Sequence, residues 1–256
     1  MLGAIAGDII GSIYERHQIK SKKFPLFGRG CGFTDDTVCT VAVAEWLLDG
    51  GDFAAVLRRH VRRHPKAGYG GMFLKWALAD DAPAYNSWGN GSAMRAAPIA
   101  YAADDEADVL RLAAESSAVS HDHPDAIKGA QAVALATWAA LGGADGAEIG
   151  GLVEDRFGYD MTQSLDQIRW WYRFDVSAKG SVPQAIQAAI EGTDYEDAVR
   201  CAISIGGDSD TIACMAGAVA EARFGLPEAV AERALDYLSE DLRAVVERFG
   251  ERFPTP

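Results

Sequence analysis

Cysteine is scarce in this chain of 256 residues: Cys31, Cys39, Cys201 and Cys214 show no CxxC spacing. They form no disulfide framework and read as small buried side chains in a reducing compartment. A run of about 18 uncharged apolar residues is missing, so nothing is expected to span a membrane. The opening segment MLGAIAGDIIGSIYE lacks a basic region, and Asp8 interrupts its apolar run, unlike a signal peptide. Basic residues are outnumbered, 24 against 37 acidic, for a net charge of −13. That balance argues against non-specific nucleic-acid binding and anionic membranes, but leaves room for an anionic ligand in a local pocket. The expectation is a soluble cytoplasmic protein.

Alternating Val/Ile/Thr strands are nearly absent too, and helical periodicity takes their place. In 53–63, Phe53, Val56, Leu57, His60 and Val61 share one stripe, with Arg58, Arg59, Arg62 and Arg63 largely outside it. Similar patterns predict helices over 3–14, 37–48, 71–79, 93–102, 106–119, 125–141, 164–172, 182–191, 194–205, 211–224, 227–237 and 239–248. Asp52, Asp194 and Ser181 with Pro183 look like helix entries. Small residues recur at helical spacing (Gly3, Gly7, Gly11; Ala213, Ala216, Gly217, Ala220), which lets backbones approach closely. The reading is all-α: a single compact orthogonal bundle of about a dozen helices, one domain over 1–256. The loops at 15–34, 80–92 and 157–181 are long enough to be functional.

Two acidic strings, Thr34-Asp35-Asp36-Thr37 and Asp208-Ser209-Asp210-Thr211, each run into an Ala/Val-rich helix. One such string alone reads as a helix N-cap. A cap uses one side chain, however, and leaves the adjacent carboxylates without a role. If the fold brings the strings together, four carboxylates repel by several kcal/mol at the effective dielectric of a protein site. Two divalent cations match them in charge. Carboxylates and hydroxyls form a hard-oxygen set suited to Mg²⁺ or Mn²⁺, and no His or Cys lies nearby to favour zinc.

Glu15 follows Asp8 by seven residues, so one helix would carry both on one face. Glu15 is either a solvated helix end or a group that activates water beside the metals. Tyr85-Asn86-Ser87-Trp88-Gly89-Asn90-Gly91-Ser92-Ala93-Met94-Arg95 is a Gly-rich loop opening a helix, and Gly68-Tyr69-Gly70-Gly71 precedes another. Each is an ordinary turn or a phosphate cradle, with Trp88 or Tyr85 placed to stack on a base. His121-Asp122-His123 invites a metal-phosphohydrolase reading, but the other histidines form no matching set. A ligand-contacting His121 fits better.

With these strings in hand, the chain resembles the ADP-ribosylglycohydrolase family, which includes dinitrogenase-reductase-activating glycohydrolases and ADP-ribosyl-serine hydrolases. GDIIGSIYE, FTDDT, GYGG, SWGNGSAMR, SHDHPDAIKGAQ, GSVPQAI and GGDSDT occur in the family's order along nearly the whole chain. The resemblance implies an all-α fold with two Mg²⁺ or Mn²⁺ held by Thr34, Asp35, Asp36, Asp208, Asp210 and Thr211. It maps the ligand cleft onto Gly70, Gly71, Ser87, Trp88, Gly89, Asn90, Gly91, Ser92 and His121. Glu15 takes the catalytic position, because GDIIGSIYE looks more like the serine-hydrolase branch than the arginine-hydrolase one.

The implied activity is hydrolysis at the anomeric carbon of ADP-ribose, releasing it from a modified protein or small conjugate, with a serine linkage favoured over arginine. A metal-dependent nucleotide pyrophosphohydrolase and a non-catalytic ADP-ribose-binding protein are the competing readings. The metal set and Glu15 argue against the latter. A monomer is expected. The chain is shorter than many relatives, which leaves the acceptor group open.

Overall fold

The computed structural model describes residues 1–254. It contains α1 (Leu2–Gly11), α2 (Asp35–Asp49), α3 (Phe53–Arg63), α4 (Gly71–Leu78), a 3-10 turn at Asn90–Ser92 and α5 (Ala97–Ala102). There follow α6 (Glu106–Ala118), α7 (Pro124–Leu141), α8 (Gly146–Phe157), α9 (Leu165–Arg169) and α10 (Ala178–Glu191). The last are α11 (Tyr195–Ser204), α12 (Ser209–Phe224), α13 (Glu228–Tyr237) and α14 (Glu240–Arg252). Among the described residues no strand forms; a lone antiparallel bridge joins Gly89 and Ser177. No helix among them is long and apolar enough to cross a membrane.

The all-α reading holds, with fourteen helices among the described residues where about a dozen were expected. The stripe predicted on α3 is the set of residues that helix buries, Phe53, Val56, Leu57, His60 and Val61. Asp52 and Asp194 cap as expected, accepting from the Ala54 and Asp197 amides. Four local expectations fail. The helix α8 is missing from the predicted set because its glycines blur the apolar period, although an Asp145–Glu148 capping box opens it. The segment 93–102 is helical only from Ala97. In α10 the cap is Ser177, so Ser181 and Pro183 lie inside the helix, not at its entry. And α1 stops at Gly11, so Glu15 sits in the following turn and shares no helix with Asp8.

One buried apolar cluster takes side chains from all fourteen helices, from Ile5 to Phe249. Its centre is α12, buried on every side from Ser209 to Glu221, as expected of a helix with no polar face. Against it lies α1, and the two backbones nearly touch. A Cβ built on Gly7 would sit 2.1 Å from the Ala213 carbonyl oxygen, and one on Gly11 would sit 2.6 Å from the Asp210 Cα. From the other side, a Cβ on Gly217 would sit 2.3 Å from the Gly3 carbonyl oxygen. Glu221 fixes the start of α1 by accepting from the Gly3 amide at 2.9 Å, while the Tyr195 hydroxyl donates to Gly3 O at 2.7 Å.

The close approach predicts a contrast between two glycines. Gly7→Ala forces the helices apart and should destabilise by about 3 kcal/mol, as overpacking does. Gly151→Ala, where nothing lies within 4 Å of the new Cβ, should be neutral or stabilising by up to about 1 kcal/mol from helix propensity. Urea denaturation of both variants decides it; equal effects would show that the α1–α12 contact is not limiting.

Candidate active site

The sharp turn from α1 into the loop before α2, and the turn into α12, bring the two acidic strings to one place. Gly206 and Gly207 take left-handed backbone angles (φ +69° and +83°) immediately before Asp208, a conformation side-chain-bearing residues rarely adopt. The carboxylates of Asp8, Asp36 and Asp210 are all buried, and one oxygen from each lies within 4.8 Å of the others. Thr34, Asp35, Asp208, Thr211 and Glu15 line the same cleft with Asp36 and Asp210.

Helix capping accounts for little of this. Thr34 is the N-cap of α2 and accepts from the Asp36 amide at 3.3 Å. Asp208 occupies the N-cap position of α12 without making a side-chain cap bond. It accepts instead from Asn90 Nδ2 at 2.7 Å. Thr211 Oγ1 donates to Asp36 Oδ2 at 3.3 Å. The other Asp36 oxygen, Oδ1, is buried with no hydrogen-bond partner. A buried carboxylate oxygen without a donor is costly.

Asp8 differs. Its Oδ1 accepts from the Thr34 hydroxyl (2.6 Å), and its Oδ2 from the Thr34 amide (2.9 Å), the Thr37 amide (3.1 Å) and the Thr37 hydroxyl. Burial raises this carboxyl above the ordinary range against the pull of these four bonds, which tether it at the positive end of α2 and hold that turn beside α12. In the sequence Asp8 stands out only as a break in the opening apolar run and as a neighbour of Glu15. A lone acid inside the Gly- and Ile-rich helix GDIIG was the available signal.

Electrostatics follow from burial. Burial foremost, then the charge of Asp8, pushes Asp35 up to about 8. Asp36 is raised well above the ordinary carboxylate range by burial and by Asp8 and Asp210. Asp210 is raised by burial and by Asp208, and Asp208 by burial in opposition to the Asn90 hydrogen bond. Glu15 adds to the rise at Asp35, Asp208 and Asp210, so its carboxylate shares their field. Carboxylates and hydroxyls alone, with one carboxylate oxygen lacking a donor, fit a hard divalent cation.

The cleft measures about 980 Å³, the size of a nucleotide-scale ligand site. Gly70, Gly71, Ser87, Trp88, Gly89, Asn90, Gly91 and His121 all line it. Ser92 does not: it is fully buried and donates to Ala126 O at 3.2 Å. The Gly-rich loop does not open a helix directly. Its Asn90 amide donates to Val176 O (2.9 Å) and its Trp88 carbonyl accepts from the Ala178 amide (3.1 Å), so 88–90 is laid against the entry to α10. Gly70 heads α4 without a side-chain cap, leaving first-turn amides free at the cleft. Of the His-Asp-His string, only His121 faces the cleft; Asp122 accepts from the Asn86 amide and His123 caps α7. Arg16, Arg29 and Lys66 also line the cleft, a cationic edge without a signal in the sequence, and His17 lies among them.

The family model described as ADP-ribosylglycohydrolase matches residues 1–256. ADP-ribosylhydrolase ARH3 from Homo sapiens is 27% identical over 95% of this chain and 90% of its own length. The Mus musculus protein of the same name is 26% identical over 89% and 83%. A solved structure described as an ADP-ribosylglycohydrolase-related protein complex superposes with a TM-score of 0.71 at 26% identity, covering 98% of this chain and 96% of that one.

The raised carboxylates predict how stability depends on pH and metal. A carboxyl with a folded-state pKa above its unfolded value holds its proton more tightly when folded, so metal-free stability falls as pH climbs from about 4 towards about 8. Added Mg²⁺ or Mn²⁺ should therefore raise Tm far more at pH 8 than at pH 5, and Asp36→Asn should remove most of that gain. Thermal melts with chelator and with each cation test this; a cation effect independent of pH would contradict it.

Proposed function

The chain belongs to the ADP-ribosylglycohydrolase family, and from that premise we propose that it is a hydrolase that releases ADP-ribose by cleaving the bond at its anomeric carbon. The observation that carries the reading is the buried convergence of Asp8, Asp36 and Asp210, with Glu15 lining the same cleft. A purely structural protein has no use for so costly a cluster. One domain, residues 1–256, carries the activity, and four free cysteines suit a cytoplasmic setting.

In this reading Thr34, Asp35, Asp36, Asp208, Asp210 and Thr211 hold two Mg²⁺ or Mn²⁺ ions, and Asp8 braces Thr34 from behind. Bound there, the ions would supply Lewis-acid polarisation and would help orient the hydroxyls of the distal ribose. Glu15 moves the proton: water adds its oxygen to the anomeric carbon, the carbon–acceptor bond breaks, and the proton ends on the acceptor oxygen. The free amides at the start of α4 and those of Ser87, Trp88 and Gly91 receive the diphosphate. Tyr85 and Trp88 offer aromatic faces for the base. A serine-type O-linkage is the favoured acceptor, supported by the kinship of GDIIGSIYE with the serine-hydrolase branch.

Glu15→Gln should lower turnover of an ADP-ribosyl-serine peptide by about 10²–10⁴-fold, the usual worth of a general acid–base, while ADP-ribose binding and the metal-induced rise in Tm persist. Chromatography of the wild-type products separates the alternatives. Free ADP-ribose supports this reading, whereas AMP with ribose 5-phosphate would make the protein a pyrophosphohydrolase. Arginine-linked and acetyl-ester conjugates in the same assay rank the acceptors.

A further inference from the structure

Behind the cleft wall lies a guanidinium with no counter-ion. Arg95 is fully buried, forms no salt bridge among the described residues, and has two nitrogens, Nε and Nη1, without a hydrogen-bond partner; its guanidinium lies 5.5 Å from the centre of the Phe53 ring. Its Nη2 donates to the Ser116 carbonyl at 2.6 Å and to Ser120 Oγ at 3.2 Å. Ser120, also fully buried, contacts Nδ1 of His121 at 2.8 Å. The His121 backbone is pinned on both sides, its amide donating to Ser117 O at 2.8 Å and its carbonyl accepting from the Ser117 hydroxyl at 2.7 Å.

The hydrogens on this chain can be assigned by counting. Arginine only donates, so Ser120 Oγ accepts from Arg95. The Ser120 hydroxyl hydrogen then needs an acceptor, and His121 Nδ1 is the one within reach. If Nδ1 carried a proton instead, a buried hydroxyl hydrogen would have nowhere to go, at a cost of about 1–3 kcal/mol. The imidazole hydrogen is therefore on Nε2. That atom lies over the Gly-rich loop, 2.8 Å from where a Gly91 Cβ would be, and faces the cleft. Burial foremost, and then the Arg95 charge, hold the imidazole well below its ordinary pKa, which keeps it neutral.

We propose that Arg95 and Ser120 are positioning residues that hold His121 as a neutral Nε2–H donor aimed at an anionic oxygen of the ligand. Identifying that oxygen with the diphosphate of ADP-ribose rests on the family reading; the tautomer does not. The unpaired guanidinium charge gains its compensation when the anion arrives, so its field favours the bound state. His121 is thereby neither a base nor a metal ligand.

Long-range ¹H–¹⁵N spectra of histidine-labelled full-length protein test the tautomer without ligand. The expected result is a neutral His121 with a bare Nδ1 and a protonated Nε2, lost to a tautomer mixture in Ser120→Ala. Calorimetry with ADP-ribose and Mg²⁺ tests the consequence. Ser120→Ala should bind about tenfold more weakly, and Ser120→Ala combined with His121→Ala should bind no more weakly than His121→Ala alone. An Nδ1–H tautomer or an imidazolium in the wild type would overturn the proposal, as would unchanged binding in Ser120→Ala or additive losses in the pair. If Ser120→Ala fails to fold, the wild-type spectrum still decides. A wild type that neither binds ADP-ribose nor releases it from any conjugate would sink the family reading, while the tautomer would still uphold or overturn the role of Arg95 and Ser120.

Discussion

The contact between α1 and α12, closer than any side chain would permit, is the constraint on which the site depends. Gly7 and Gly11 flank Asp8 in position and leave no Cβ between the two backbones. The carboxylate of Asp8 is thereby set beside the first turn of α12 and, at the same time, under the start of α2. Its four hydrogen bonds to Thr34 and Thr37 orient the turn that carries Asp35 and Asp36. A wider spacing between α1 and α12 would separate acids that lie some two hundred residues apart in sequence. Glycine at these positions weakens the helix intrinsically, and the protein tolerates that because the spacing positions its chemistry.

Burying like charges together opposes folding. Asp8 offsets part of the burial penalty because each of its oxygens is hydrogen-bonded to donors at a helix N-terminus. Asp36 does not, since one oxygen has no donor at all. The difference separates two states within one acidic cluster: one carboxylate braces the structure, and another keeps an oxygen without a donor. It also makes the metal-free fold sensitive to pH in a direction opposite to that of a salt-bridged acid.

The rest of the cleft has the opposite character. Free amides at the start of α4, those of Ser87, Trp88 and Gly91, and the Nε2–H of His121 present donors, with a buried arginine behind them. A ligand with a polyol at one end and an anionic centre matches that polarity. In the proposed reading the acid pocket takes cations and, through them, hydroxyls, while the donor wall takes phosphate oxygens. Exposed Trp88, Phe174 and Val176 at the mouth supply apolar surface for a flat ring.

Much of this was legible in the sequence. Residues 53–63 show why, since a 3.6-residue period places the same side chains inward whatever the helix packs against. The two acidic strings were readable because equivalent oxygen chemistry recurred at two helix starts, where a cap needs only one such group. Residues whose roles are defined by partners were not readable. Asp8 was one acid in an apolar helix, Ser92 looked like its cleft-lining neighbours, and Ser120 and Arg95 carried no signal of linkage to His121. By itself, then, the sequence determined the all-α architecture, the hard-oxygen donor set and the family. The tertiary structure alone decided which acid is braced by hydrogen bonds and which keeps a bare oxygen, and which hydrogen His121 keeps, because burial and hydrogen-bond partners are properties of neighbours distant along the chain.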